Sequence, residues 1–198
     1  MFALIESGSI TKHLNGNKGI QIGDLKYPRA IYTLWTEAER NAIGIYTVEY
    51  DNSNKKDEKW YINTNQSFAF AGGKITASYG SATAKAHADT LWTAQDETDG
   101  KGIEGEVATR GLKYNLIQTI KQQAAGELSK TDWYITRKSD AGTAVPSSIT
   151  THRAAVRTKA AEQETLITNA ADTPALETLY TRNAEGVRPL GELPVLES

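Results

Sequence analysis

Residues 128–157 read LSKTDWYITRKSDAGTAVPSSITTHRAAVR, and their order decides the fold of the C-terminal half. An apolar helical stripe arriving from the N-terminal side ends at Leu128, and Thr131, Asp132 and Trp133 then form an elbow. Arg137 and Lys138 follow, and Gly142-Thr143-Ala144-Val145-Pro146 is a loop. Glycine accepts the backbone angles of a tight turn, and proline lacks the amide that a helix interior requires. Beyond Pro146 the chain returns as a helix, with Arg153 and Arg157 one turn apart on the same face. Helix, elbow, loop and basic-faced helix together describe an α-helical hairpin.

The hairpin extends in both directions. Leu112, Leu116, Ile120 and Leu128, with Ile117 and Ala124 between them, make one apolar stripe and predict a helix over about residues 107–129. The returning helix, capped by Ser147 or Ser148, is predicted to run to about residue 171, with Ile149, Val156, Ala160, Ile167 and Ala170 on its inner face. A short third helix follows Thr173-Pro174, where proline suits the first helical position, and includes Leu176, Leu179 and Tyr180. Trp133 is expected to fill the elbow. The stripes would bury apolar surface at roughly 25 cal/mol per Å². The last segment, 184–198, carries Pro189, Gly191 and Pro194 and reads as an extended tail.

The N-terminal half has a different character. Of the 16 aromatic residues, 12 precede residue 106 and 4 follow it (Tyr114, Trp133, Tyr134 and Tyr180). Residues 45–50 alternate, Tyr46, Val48 and Tyr50 facing one way and Ile45, Thr47 and Glu49 the other, as in a strand. Segments 59–63, 67–71 and 74–79 follow the same logic, and Gly72-Gly73 marks a two-residue hairpin. Residues 51–58 read as a polar hairpin tip. One short helix is predicted at 37–43, with Thr36 and Glu39 at capping-box spacing. Residues 82–88 fit helix or strand equally. The glycine-rich stretch at 96–106 reads as a linker or exposed loop. The expected fold class is therefore α+β. A small antiparallel β-rich module (1–99) is joined by a linker (100–106) to a helical hairpin (107–183) with the extended tail (184–198).

Composition bounds the function. The 198 residues carry 22 basic and 24 acidic side chains, with net charge −2 and pI near 6.0, which disfavours a general nucleic-acid or anionic-membrane binder. No run of 18 apolar residues predicts a membrane span. Residues 1–6 lack the basic start of a secretory signal. Cysteine is missing, so disulfides, thiol nucleophiles and cysteine zinc sites are excluded.

Motifs for chemistry are equally sparse. His13, His87 and His152 show no zinc-helix spacing, and no Gly-x-Ser-x-Gly elbow is present. Asn15-Gly16-Asn17-Lys18-Gly19 lacks the spacing and the Lys-Ser/Thr of a phosphate loop, so a β-turn is its plainer role. Residues 51–54 and 96–99 do not supply an EF-hand pattern and read as solvated turns. No catalytic residue, metal or cofactor is expected, and the Asp and Glu residues read as surface and caps rather than a glycosidase pair.

The order of motifs does resemble a known group. The Thr-Asp-Trp elbow, the Gly/Pro loop and the basic-faced helix are similar to the C-terminal helical module of bacteriophage tail-fibre assembly proteins and related tail-associated proteins. Tyr27-Pro28, Thr36-x-x-Glu39-Arg40, Ala42-Ile43-Gly44, Gly111-Leu112-Lys113 and Leu190-Gly191-Glu192-x-Pro194 also look like that group. The resemblance covers the chain from Tyr27 onward, and its motifs are structural. It implies a non-enzymatic phage tail protein acting through protein–protein contacts. The first expectation is a tail-fibre assembly factor of chaperone type, and the alternative is a permanent structural or adaptor component of the virion tail, baseplate or fibre. The implied partner is a tail-fibre or baseplate protein, or a second copy of the chain. The implied location is the host cytoplasm during assembly, or the virion tail.

Two readings compete at the elbow. In one, Asp132, Trp133, Tyr134, Arg137, Lys138, Arg153 and Arg157 grip a partner, since Trp, Tyr and Arg dominate interface energetics. In the other, Thr131, Asp132 and Trp133 hold the elbow and Arg153 or Arg157 pairs with Asp132. Leu190, Leu193 and Val195 in the tail are further expected contacts, because an extended apolar segment gains most by docking in a groove or on a sheet edge, its own or a partner's.

Overall fold

A computed structural model describes residues 1–196. It has the expected α+β class, an antiparallel-rich β region followed by helices. Two compact units divide between Thr83 and Ala84, so the predicted boundary at 99–107 is corrected. The two-residue strand β9 (Thr83–Ala84) lies at that junction in the chain.

The first unit is built on a five-stranded sheet in the order β2 (Ser9–Leu14), β1 (Phe2–Glu6), β5 (Ile45–Asp51), β8 (Lys74–Ser78), β7 (Ser67–Ala71). Strands β1 (Phe2–Glu6) and β2 (Ser9–Leu14) form a hairpin turned at Ser7 and Gly8, both at positive φ as a primed two-residue turn requires. A short hairpin of β3 (Ile20–Ile22) and β4 (Leu25–Tyr27) leads to α1 (Ile31–Leu34) and α2 (Glu37–Ala42). The predicted capping box is present in full: the Thr36 hydroxyl accepts from the Glu39 amide, and the Glu39 carboxylate accepts from the Thr36 amide at 2.7 Å. At the end of α2, Gly44 stands at φ 81°, where a Cβ would lie 2.7 Å from the Ile5 carbonyl. Only glycine lets the chain pass so close to β1 and enter β5 (Ile45–Asp51).

The expected all-antiparallel sheet needs one correction. Strands β7 (Ser67–Ala71) and β8 (Lys74–Ser78) form the predicted Gly72-Gly73 hairpin, but β8 returns between β7 and β5 and pairs with β5 in parallel, Val48 opposite Ile75. Residues 51–58 are consequently no hairpin tip. They open a long loop held by side-chain turns: Asp51 accepts from the Ser53 amide, Asp57 from the Lys59 amide, and Asn63 bonds both backbone groups of Lys56. Of the predicted strand 59–63, only β6 (Tyr61–Ile62) forms. Alternation along the strands gives the sheet a core on each face. Leu4, Leu14 and Ile45 pack with Ile20, Ile31 and Tyr32 on one side, and Ala3, Val48, Ile75 and Ala77 pack together on the other.

In the second unit the glycine-rich stretch is closed rather than linking. Strands β10 (Thr90–Leu91) and β11 (Val107–Thr109) pair antiparallel, and between them lies α3 (Ala94–Thr98) with a Thr93/Asp96 capping box. Trp92 bonds Glu106 and Gly105 through its backbone, and its indole lies where a Cβ on Gly102 would stand. Residues 107–109 therefore belong to a strand, and α4 begins only at Leu112 (Leu112–Ser129). Its first amides donate to the Ala86 and His87 carbonyls, satisfying groups a helix start leaves open.

Helix α4 runs antiparallel to α6 (Ser147–Asn169), with Lys113 bonded to the Thr168 carbonyl, Lys121 paired with Glu164, and Arg153 bonded to the Leu128 carbonyl. Leu116, Ile120 and Ala124 supply one buried stripe, and Ile149, Val156, Ala160 and Ile167 the other. Pro146 holds the N-cap position of α6 with no side-chain cap, so the expected serine cap does not form. Between them the structure adds a helix the sequence reading left out, α5 (Asp132–Ala141), stopped by Gly142 in the left-handed region. The third predicted helix is α7 (Thr173–Tyr180), capped by Asp172.

Candidate functional site

The elbow gathers around one buried cation. Thr131 is fully buried, and its hydroxyl donates to the Leu128 carbonyl at 3.0 Å. Arg153, 8% exposed, reaches it from α6. Its Nη1 donates to the Leu128 carbonyl at 2.7 Å, to Thr131 Oγ1 at 2.7 Å and to Asp132 Oδ1 at 2.8 Å. One Nη1 carries two hydrogens, so the three acceptors share them. Arg153 thus ties the end of α4 and the start of α5 to α6. The pairing with Asp132 falls to Arg153 and not to Arg157, which is exposed. Among the partner-binding candidates, Arg153 is therefore corrected to an internal tie.

Trp133 is corrected in the opposite sense. It does not fill the elbow: it is 51% exposed on α5. The small, polar Thr131 takes the interior place because Arg153 needs an acceptor there. Outside, the Trp133 and Tyr134 rings lie 3.9 Å apart at 34°. The Arg137 guanidinium stands 4.6 Å from the Trp133 centroid and 5.5 Å from that of Tyr134, within cation–π range. Lys138 sits in the last turn of α5, where a cation complements the helix dipole. Neither Arg137, Lys138 nor Arg157 forms an ion pair among the described residues. Ile135, also exposed, adds apolar area on α5. The sequence reading passed over it because it did not assign α5 as a helix.

The tail divides as well. Leu190 is buried, its amide donates to the Leu179 carbonyl, and Gln163 of α6 donates to the Gly191 carbonyl at 3.0 Å. Arg182 and Arg188 both pair with Glu192. The tail is thus docked on its own unit, and Leu190 is corrected from a partner contact to a core residue. Leu193 is half-buried beside a cavity of about 410 Å³ that Ile120, Gln163 and Tyr180 also line, whereas Val195 is exposed. Residues 197 and 198 of the expected tail lie outside the described residues.

Among the described residues, no group of three His, Asp or Glu side chains is placed to hold a metal, and no helix is long and apolar enough to cross a membrane. His152 is buried on α6, its Nε2 without a hydrogen-bond partner. No family model matches the chain, and no curated protein or solved structure matches it significantly.

Proposed function

We propose that this chain is a non-enzymatic phage tail protein, a tail-fibre assembly factor that binds a fibre subunit and promotes its trimerisation. The observation that carries the reading is the Trp133–Tyr134–Arg137 stack, held out on α5 by an elbow whose interior is committed to Thr131 and Arg153. Tryptophan and tyrosine lose little conformational freedom on docking, and together with arginine they supply most of the energy where interfaces are tight. The motif order from Tyr27 onward supports the family assignment. Several of its residues have backbone roles here: Gly44 passes β1, and the Gly111 backbone leaves no room for a Cβ beside Ala88. A fibre or baseplate protein is the proposed partner, and the host cytoplasm during assembly is the proposed location.

Co-expression of a tail-fibre protein from the same genome with and without this chain tests the reading. Soluble, trimeric fibre should accumulate only when the chain is present. The same trimer yield without it would reject the assembly role. Recovery of the chain in stoichiometric amounts from purified virions would favour the alternative, a permanent adaptor of the tail.

A further inference from the structure

The first unit carries a second site that the proposed function does not use. A cavity of about 330 Å³ opens where β2 meets the loop Asn15-Gly16-Asn17-Lys18-Gly19. Lys12 and Lys18 line it, Leu14, Ile20 and Tyr32 supply its apolar wall, and no Asp or Glu is among the lining residues. Neither lysine forms an ion pair among the described residues. The loop is shaped by an Asx turn, with Asn15 Oδ1 accepting from the Asn17 amide at 3.3 Å, and by Gly16 at φ 72°. The Gly16 and Lys18 amides donate to no acceptor among the described residues. Gly16 lies against the rings of Phe2 and Tyr32, where a Cβ would sit 3.3–3.4 Å from them.

We infer that this loop and its two lysines bind the phosphate group of a small phosphomonoester. The Gly16 and Lys18 amides, free on either side of the Asn17 amide that Asn15 takes, are donors available to an oxyanion. Two uncompensated ammonium groups match a dianion, which a phosphomonoester is near neutral pH. The apolar wall of Leu14, Ile20 and Tyr32 and the volume of the cavity leave room for an organic body beyond the phosphate. The site lacks the Lys-Ser/Thr pair that holds a nucleotide's phosphates and their metal, so binding rather than phosphoryl transfer is its act.

Amide chemical shifts of the isotope-labelled full chain test this, with inorganic phosphate and phenyl phosphate as probes and sodium chloride at matched ionic strength as control. Both phosphates should shift Gly16 and Lys18, the ester should bind more tightly, and chloride should leave them in place. Lys12→Gln/Lys18→Gln should weaken binding about tenfold or more, since each lost contact is a charge-assisted hydrogen bond. Both lysines are exposed, so the variant should fold, and an unchanged thermal midpoint checks that. Shifts that chloride reproduces, shifts that survive the double substitution, or no response to either phosphate would overturn the inference. Tighter binding of inorganic phosphate than of the ester would overturn the role of the apolar wall.

Discussion

The elbow interior and the outer face of α5 lie within a few residues of each other in the chain and have opposite fates. Thr131 and Arg153 are buried and hydrogen-bonded to each other, while Trp133 is half exposed and stacks with the half-buried Tyr134 and Arg137. The tail repeats the division, with Leu190 inside and Val195 outside. The lesson is that residue type alone does not sort buried from exposed positions. The tryptophan is on the outside and an arginine is on the inside, because a guanidinium can tie three acceptors at the α4–α5 junction whereas an indole, with one N–H, cannot.

The inside of this comparison breaks most visibly at Leu190. Leu190→Ala should cost about 3 kcal/mol or more, the usual result of emptying a fully buried leucine site. A chemical denaturation curve measures it, and a loss near zero would return the tail to the list of free docking segments. Arg153→Ala comes next. It removes one Nη1 from three acceptors and leaves the buried Thr131 oxygen without a donor, its own hydrogen still given to the Leu128 carbonyl, for a cost of roughly 2–3 kcal/mol. The full penalty of a broken buried ion pair is not expected, because the Asp132 side chain is 59% exposed and water can replace its partner.

On the outer face, Trp133→Ala should cost less than about 1 kcal/mol, the scale of an exposed stacking and cation–π contact. A thermal midpoint that falls as far as that of Arg153→Ala would show that the indole supports the elbow after all.

The smallest effect concerns the Thr93/Asp96 cap of α3, outside both regions. The Thr93 hydroxyl and amide and the Lys101 ammonium hold the Asp96 carboxyl down at about 2, against an ordinary 3.8. A carboxyl depressed in the folded state stabilises it above the unfolded value and loses that contribution as pH falls from about 4 towards 2. Amide exchange in α3 should accelerate in that window while α5 stays protected. Simultaneous loosening of α5 would mean that the two are not independent.

Much of this was legible in the sequence. The Thr36/Glu39 capping box, the Gly72-Gly73 hairpin, the two faces of β5 and the antiparallel α4–α6 pair each follow from local spacing. What escaped depends on distant partners. Nothing local in residues 67–78 says that β8 will slip between β7 and β5 and run parallel to β5. The glycines at 100–105 look like a linker until Trp92 is seen packed over Gly102. Helix α5 was hidden because DWYITRKSDA has no apolar stripe: it has no core to face, and none of its residues is buried. The candidate site was read as residues but not as sides, since the choice between Trp133 and Thr131 for the interior is made by Arg153, 20 or more positions away.

The most direct test of the central claim is the affinity of a Trp133→Ala/Arg137→Ala chain for the tail-fibre protein, measured by titration calorimetry beside the wild type. The two substitutions should weaken binding by about tenfold or more, as loss of interface anchors does, while the thermal midpoint stays close to that of the wild type. Unchanged affinity in a folded double variant would contradict the account and take α5 out of the interface.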